Sequence, residues 1–494
     1  MRNSIFFLVL LIALPVIAQQ SNYDDYMRQK NADFNRIIEK QQAEYDAYRK
    51  RINEKYAEFM RQKWESFPVH EAEKLVKEKE VPPVIYEPVS TIKPDIETNA
   101  IEIAPTSQVV VVPKPQSTPE PIAPVKPKDE PYKRVSIAYF GTIITVGFPI
   151  NDNLKLRAVE ENAIADAWQQ LTASRYDIMV STALNARKAN QLCDWAYLKM
   201  LQSVAEKQYG QTNEAVLTLA FIMTQSGYRV RIGMDNKKLY MLVASLYDIF
   251  DMQYYLIDGT KFYNVSGGKN VRMQITEANY EKEKSLSLQM TQLPLLNSEP
   301  TPKRTLTSKK GVTSYVAVNK NMIDFFNTYP QACFNGNQNT RWAAYANTPI
   351  EESVKDVLYP PLRNTISGMN EKDAVDILLN WVQTAFEYAY DDKVWGGDRA
   401  FFAQETLYYP YSDCEDRAIL FSRLVRDLVG LDVVLLCYPG HLAAAVAFNE
   451  DVNGDYLTYK NRKYVVCDPT YINAGVGRSM PKLSKSEVQV IALK

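Results

Sequence analysis

Ser412-Asp413-Cys414-Glu415-Asp416-Arg417 begins the stretch that decides the fold, and Asp468-Pro469-Thr470 closes it. Behind the cysteine, Ala418, Ile419, Phe421, Leu424, Val425 and Leu428 recur at helical spacing until Gly430. The spacing predicts a helix over 415–428, with Asp413 or Ser412 as N-cap. Four short apolar runs follow, at 433–438, 442–448, 456–459 and 463–467, and read as antiparallel strands. A helix laid on such a sheet makes the fold class α+β.

The first turn of a helix favours a thiolate, because unpaired N–H groups and the helix dipole stabilise negative charge. Cys414 is therefore the candidate nucleophile. Asp413, Glu415 and Asp416 work against it. The reading requires those carboxylates to turn outward or to be paired, for instance with Arg417, and an imidazole to dominate locally. The chain has two histidines, His70 and His441. His70 follows a charged helix and reads as a surface residue. His441 follows Tyr438-Pro439-Gly440 at the entrance of a strand, which makes it the candidate base. Asp468, at the end of the last strand, is placed to hold the second ring nitrogen and fix the tautomer. The bland alternatives are a loop histidine and an Asp-Pro turn.

These residues resemble the transglutaminase-like superfamily. The resemblance rests on Asp413-Cys414-Glu415-Asp416-Arg417-Ala418, the Gly430 stop, His441 before a strand, and Lys463-Tyr464-Val465-Val466-Cys467-Asp468-Pro469-Thr470. It covers 371–471 well and the preceding half-domain loosely, and the set is similar to secreted proteins of Bacteroidetes-type bacteria. The resemblance implies a papain-like α+β fold with a Cys414–His441–Asp468 triad. It also implies acyl transfer on amide bonds of a protein or peptide through a thioester, without a cofactor. Two departures concern the acceptor site. Ser412 stands where many members have glycine, and Leu442-Ala443-Ala444 replaces an aromatic close after the histidine. The backbone N–H of Cys414 and, more weakly, the side chain of Gln404 are the candidate oxyanion donors. Trp395 and Tyr411 are candidates for the cleft wall.

Working outward, residues 132–292 repeat the order of 312–494: helices, a helix stopped by glycine, then strands. Asn213-Glu214-Ala215 falls where Cys414-Glu415-Asp416 sits, Gly227 matches Gly430, Lys238-Leu239 falls near His441-Leu442, and 261–264 falls near 463–466. This predicts a degenerate copy of the C-terminal domain that lacks the thiol, the imidazole and the carboxylate; two unrelated α+β domains are the alternative. A polar connection with Pro294, Pro300 and Pro302 separates the halves.

Residues 19–80 contain a long amphipathic helix. Tyr23, Phe34, Tyr45, Tyr56 and Phe67 recur every 11 residues, as do Tyr26, Ile37, Tyr48 and Phe59. That period keeps both series on one face. The stripe is expected to mediate self-association or partner binding, with docking on the protein's own globular part as the alternative. Residues 81–131 are proline-rich and read as an extended linker, with a strand at 109–112 as the alternative for that run. Residues 1–18 read as a signal peptide: Arg2, an apolar run from Ile5 to Ile17, and cleavage after Ala18. The expected location is the periplasm or the exterior, with no membrane span in the mature chain.

Lys+Arg total 57 against 58 for Asp+Glu, so no basic surplus argues for nucleic acid. Five cysteines leave at least one unpaired within the chain. Two distant histidines do not make a zinc centre. Asp451, Asn453 and Asp455 imitate a calcium loop only in part, and a hairpin around Asn453-Gly454 is the better reading. The rival function is a non-catalytic envelope binding or scaffold protein that holds peptides in papain-like domains.

Overall fold

A computed structural model describes residues 5–62, 64–76, 79–87, 109–110, 113–123, 125, 131–235, 237–268, 272–481, 483–484 and 487–494, with side chains from residue 25 on, Val109 excepted. The start of the leader and residues 88–108 of the linker lie outside that set. The chain is mixed α+β and is built on two curled six-stranded sheets.

The second sheet has the order Tyr456–Tyr459, Arg462–Cys467, His441–Ala447, Asp432–Tyr438, Gln489–Ala492, Val109–Val110. The first has the order Tyr254–Ile257, Thr260–Asn264, Leu239–Ala244, Val230–Met234, Met273–Thr276, Trp64–Phe67. Strand for strand, the two orders coincide. The registers coincide as well. Met234 pairs with Leu239 as Cys437 pairs with Leu442, and Asn264 pairs with Leu242 as Val466 pairs with Ala445. In both sheets a two-residue turn with positive φ joins the edge hairpin, Asp258-Gly259 in one and Lys460-Asn461 in the other. The C-terminal hairpin therefore turns at Lys460-Asn461 rather than at the expected Asn453-Gly454.

One face of each sheet packs on helices, and the other lines the sheet's own concave side. Val433, Leu435, Leu442 and Ala444 join the large core shared with the helices, while Val434, Leu436, Ala443 and Ala445 form a separate cluster. This is the period-2 alternation of a strand buried on both faces. The shared core is continuous from Tyr56 to Ile491, so both halves draw on it.

Local structure departs from the sequence reading at several points. Sequence periodicity predicts one helix over 183–206; the structure has two, Tyr176–Ala189 and Asp194–Tyr209, broken where Gln191 takes a positive φ. Residues Ala403–Tyr408 are helical. Part of the linker carries strands: Val84–Ile85 pairs with Tyr471–Ile472, and Val109–Val110 extends the second sheet. Short β-branched runs between prolines can pair at a sheet edge because edge residues need only one bonded side.

The long helix runs Ile5–Gln62 and gives way to the strand Trp64–Phe67, so Phe67 does not continue its stripe. Its C-terminal part docks on the protein itself. Tyr56 is buried, stacked on Tyr280 at 4.4 Å and near Trp168 at 4.7 Å. Its earlier part leaves Tyr26, Phe34, Ile37 and Tyr48 exposed. Among the described residues no helix is long and apolar enough to cross a membrane.

Candidate functional site

Cys414 is the first residue of the helix Cys414–Leu428. Asp413 is its N-cap, and Asp413 and Asp416 bond each other's backbone N–H in a reciprocal box. Asp416 also accepts from the Phe401 N–H at 3.0 Å. The three flanking carboxylates are thus buried, contrary to the outward orientation expected of them. Arg417 does not pair with them either. It bonds Ser412 Oγ and the carbonyls of Gln383 and Phe386, at 2.9–3.1 Å.

The Cys414 thiol is 2 % exposed and donates to Glu415 Oε2 at 2.9 Å. Burial pushes this thiol well above its ordinary range, and the carboxylates of Glu415 and Asp413 push the same way. The Leu442 N–H faces the sulfur and pulls in the other direction. Burial likewise holds Asp413, Glu415 and Asp416 above the usual carboxylate range, with mutual repulsion adding to it.

His441 heads its strand, paired with Tyr438 across the Pro439-Gly440 turn. Its Nε2 lies 2.9 Å from Asp468 Oδ2. An ionised carboxylate only accepts, so the ring proton sits on Nε2 and Nδ1 carries the lone pair. Nδ1 is buried and has no hydrogen-bond partner among the described residues. Asp468 is itself held: its Oδ1 accepts from the N–H groups of Thr470 at 2.9 Å and Tyr471 at 3.2 Å. Gln383 donates to the Asp468 carbonyl at 3.0 Å and passes its own carbonyl to Arg417. One buried polar chain therefore ties the cysteine helix to the loop bearing Asp468.

Cys414 and His441 line the same cleft of about 370 Å³. Its wall also includes Arg341, Trp342 and Asp398, with Arg341 bonded to Asp398 at 3.0 Å and stacked 3.9 Å over Trp342. No signal in the sequence marks these residues. Val76 and Glu80, from the segment before the linker, line it too. The sulfur's bond goes to Glu415 rather than to the imidazole.

Gln404 stands apart from this cleft. It is fully buried, accepts from the Glu351 N–H at 3.1 Å and donates to the Glu351 carboxylate at 2.6 Å. It anchors a helix start and is not among the residues that line the cleft. Trp395 and Tyr411 are partly exposed and absent from the cleft wall. Trp395 packs against Phe401 and Tyr409 instead. His70 is stacked on Tyr254 at 5.0 Å. Among the described residues no disulfide joins any of the five cysteines.

Comparison with family models, with curated proteins and with solved structures finds no match. The site has to be read from its own geometry. Oxygen atoms of Asp391, Asp398 and Glu415 lie within 4.8 Å of one another, and these are side chains that could hold a hard cation. Each already has a protein partner: the Arg399 N–H at 2.6 Å, Arg341 at 3.0 Å and the Cys414 thiol at 2.9 Å.

The corresponding positions of the first sheet carry different side chains. Asn213 opens the helix Asn213–Gln225 and accepts from the Leu239 N–H at 3.0 Å, the amide in register with Leu442. Its Nδ2 donates to the Lys237 carbonyl at 3.1 Å. By register Lys238 stands at the position of His441 and Ser266 at that of Asp468. A cleft of about 410 Å³ opens there, with no reactive thiol in its wall.

Proposed function

We propose that this protein is a papain-like, transglutaminase-like cysteine enzyme that transfers acyl groups from amide bonds of peptides or proteins. One observation carries the reading. His441 is held by Asp468 at 2.9 Å, and His441 and Cys414 line one cleft. In the reaction the Cys414 proton passes to His441 Nδ1 and the sulfur attacks the carbonyl carbon. The Cys414 N–H, which has no intrahelical partner at a helix start, donates to the oxyanion. The C–N bond breaks as His441 returns the proton to the leaving amine. Water or an amine then attacks the thioester and regenerates the thiol. The coincident strand orders support reading the first half as a degenerate copy, with Asn213, Lys238 and Ser266 in place of the reacting groups.

A second reading has its own observation. The thiol is bonded to Glu415 and held protonated, the state expected of a protein that holds peptides without turning them over. Alkylation of Cys414 by iodoacetamide, with Val81→Pro as a background that opens the cleft, separates the two. The enzyme reading expects His441→Ala to slow alkylation and to abolish release of ammonia or new termini from a denatured-protein peptide mixture. Alkylation indifferent to His441→Ala in both backgrounds, with no product, overturns it.

A further inference from the structure

The chain between the long helix and the linker crosses both halves. His70 pairs with Tyr254 on the first sheet, with N–H to carbonyl distances of 2.9 and 3.4 Å. Glu73 accepts from the Asp251 N–H through its carbonyl at 2.9 Å and from Lys261 through its carboxylate at 2.5 Å. The Val76 N–H donates to Gln338 at 3.1 Å. The chain then reaches the cleft. The Val81 N–H donates to the Gly440 carbonyl at 2.9 Å, immediately before His441. A Cβ added at Gly440, where φ is +69°, would lie 2.1 Å from the Lys79 carbonyl oxygen. Beyond, Val84–Ile85 pairs with Tyr471–Ile472, and the Tyr86 N–H donates to Ile472 at 2.8 Å.

Among the described residues of this stretch, Val76 and Glu80 line the cleft, and Val81 is bonded to Gly440, which lines it too. The Glu80 side chain has buried carboxylate oxygens and lies close enough to Asp413 and Glu415 to act on their charge. Cys414 and His441 are 2 % and 3 % exposed. The Val81 bond to Gly440 is a main-chain bond and independent of side-chain identity. Any extended polypeptide can make it, as in strand addition. We propose that the substrate is an extended polypeptide that runs past Gly440 and His441 in this track, and that the protein's own segment around Lys79–Val81 occupies the track and keeps the site latent. The inference rests on the enzymatic reading for the word substrate, but the track and its occupant stand without it.

The test is iodoacetamide alkylation of Cys414 in the full chain, read by mass spectrometry. Val81→Pro removes the N–H that bonds Gly440. Glu73→Ala with Gln338→Ala removes two anchors without touching Cys414, His441 or Asp468. Thermal melts identify any variant that has lost its fold, and the other variant then carries the result. Either change is expected to accelerate alkylation about tenfold, as a closed population gives way. A synthetic peptide of residues 74–86 added to the opened variant should slow it again. Unchanged alkylation in the folded variants overturns the latch. Acceleration without competition by the peptide overturns the shared track. Acceleration with competition but no amide turnover leaves the occupied track standing and removes the enzyme reading.

Discussion

The thiol of Cys414 donates to the carboxylate of its sequence neighbour Glu415 at 2.9 Å. A helix start normally makes a cysteine more acidic, yet here burial and adjacent carboxylates prevail, because a buried charge is opposed by its neighbours with little screening. Glu415→Gln removes one of those charges and leaves a side chain of equal size. Its expected effect is a fall in the apparent pKa of Cys414, since the Glu415 carboxylate is one of the groups that raise it. The pH dependence of alkylation, in the wild type and in Val81→Pro, measures it. An unchanged midpoint would mean that burial alone sets the acidity.

Asp468→Asn tests the imidazole's orientation. The new amide would keep its oxygen toward the N–H groups of Thr470 and Tyr471 and turn its NH2 toward Nε2. The ring must then place its proton on Nδ1 and can no longer accept from the thiol. Amide turnover should fall roughly 10³–10⁴-fold with little change in the melting temperature. A loss of activity matched by a loss of stability would point to a structural role instead.

Glu405 makes a prediction about pH and stability. Burial raises its pKa from 4.5 to about 7, despite Arg399 at 3.1 Å. The folded state thus binds more protons than the unfolded state between about pH 4.5 and 7, and stability falls as pH rises through that window. Glu405→Gln should make the slope of unfolding free energy against pH shallower between pH 5 and 8, as measured by urea titration. An identical slope would mean that other groups set it.

Asn213 has a structural part at the start of its helix. Its amide satisfies the Leu239 N–H and the Lys237 carbonyl. Asn213→Ala should cost about 1–2 kcal/mol of stability by leaving these groups unmet, and should leave Cys414 alkylation unchanged. Chemical denaturation alongside the alkylation rate checks both halves of the statement.

The long helix predicts contrasting effects along its length. Tyr56→Ala should cost about 3 kcal/mol, because the ring is buried between Tyr280 and Trp168. Phe34→Ala should leave the melting temperature unchanged, since Phe34 is exposed. If the bare stripe pairs with a second copy, sedimentation at rising concentration will show association that Phe34→Ala with Ile37→Ala reduces.

The sequence alone determined the local chemistry. Helical spacing behind Cys414, glycine stops at Gly227 and Gly430, and strand-length apolar runs marked the elements, because backbone geometry and the burial of one face are written in short-range periodicity. The matching order of the halves was legible for the same reason. Tertiary structure alone decided what surrounds the sulfur. The inward turn of Asp413, Glu415 and Asp416, the engagement of Gln404 by Glu351, the wall of Arg341 and Trp342, and the bond of the Val81 N–H to Gly440 beside His441 all join residues far apart in the chain. Which distant groups share a buried volume depends on how whole elements pack, and no spacing along the chain records it.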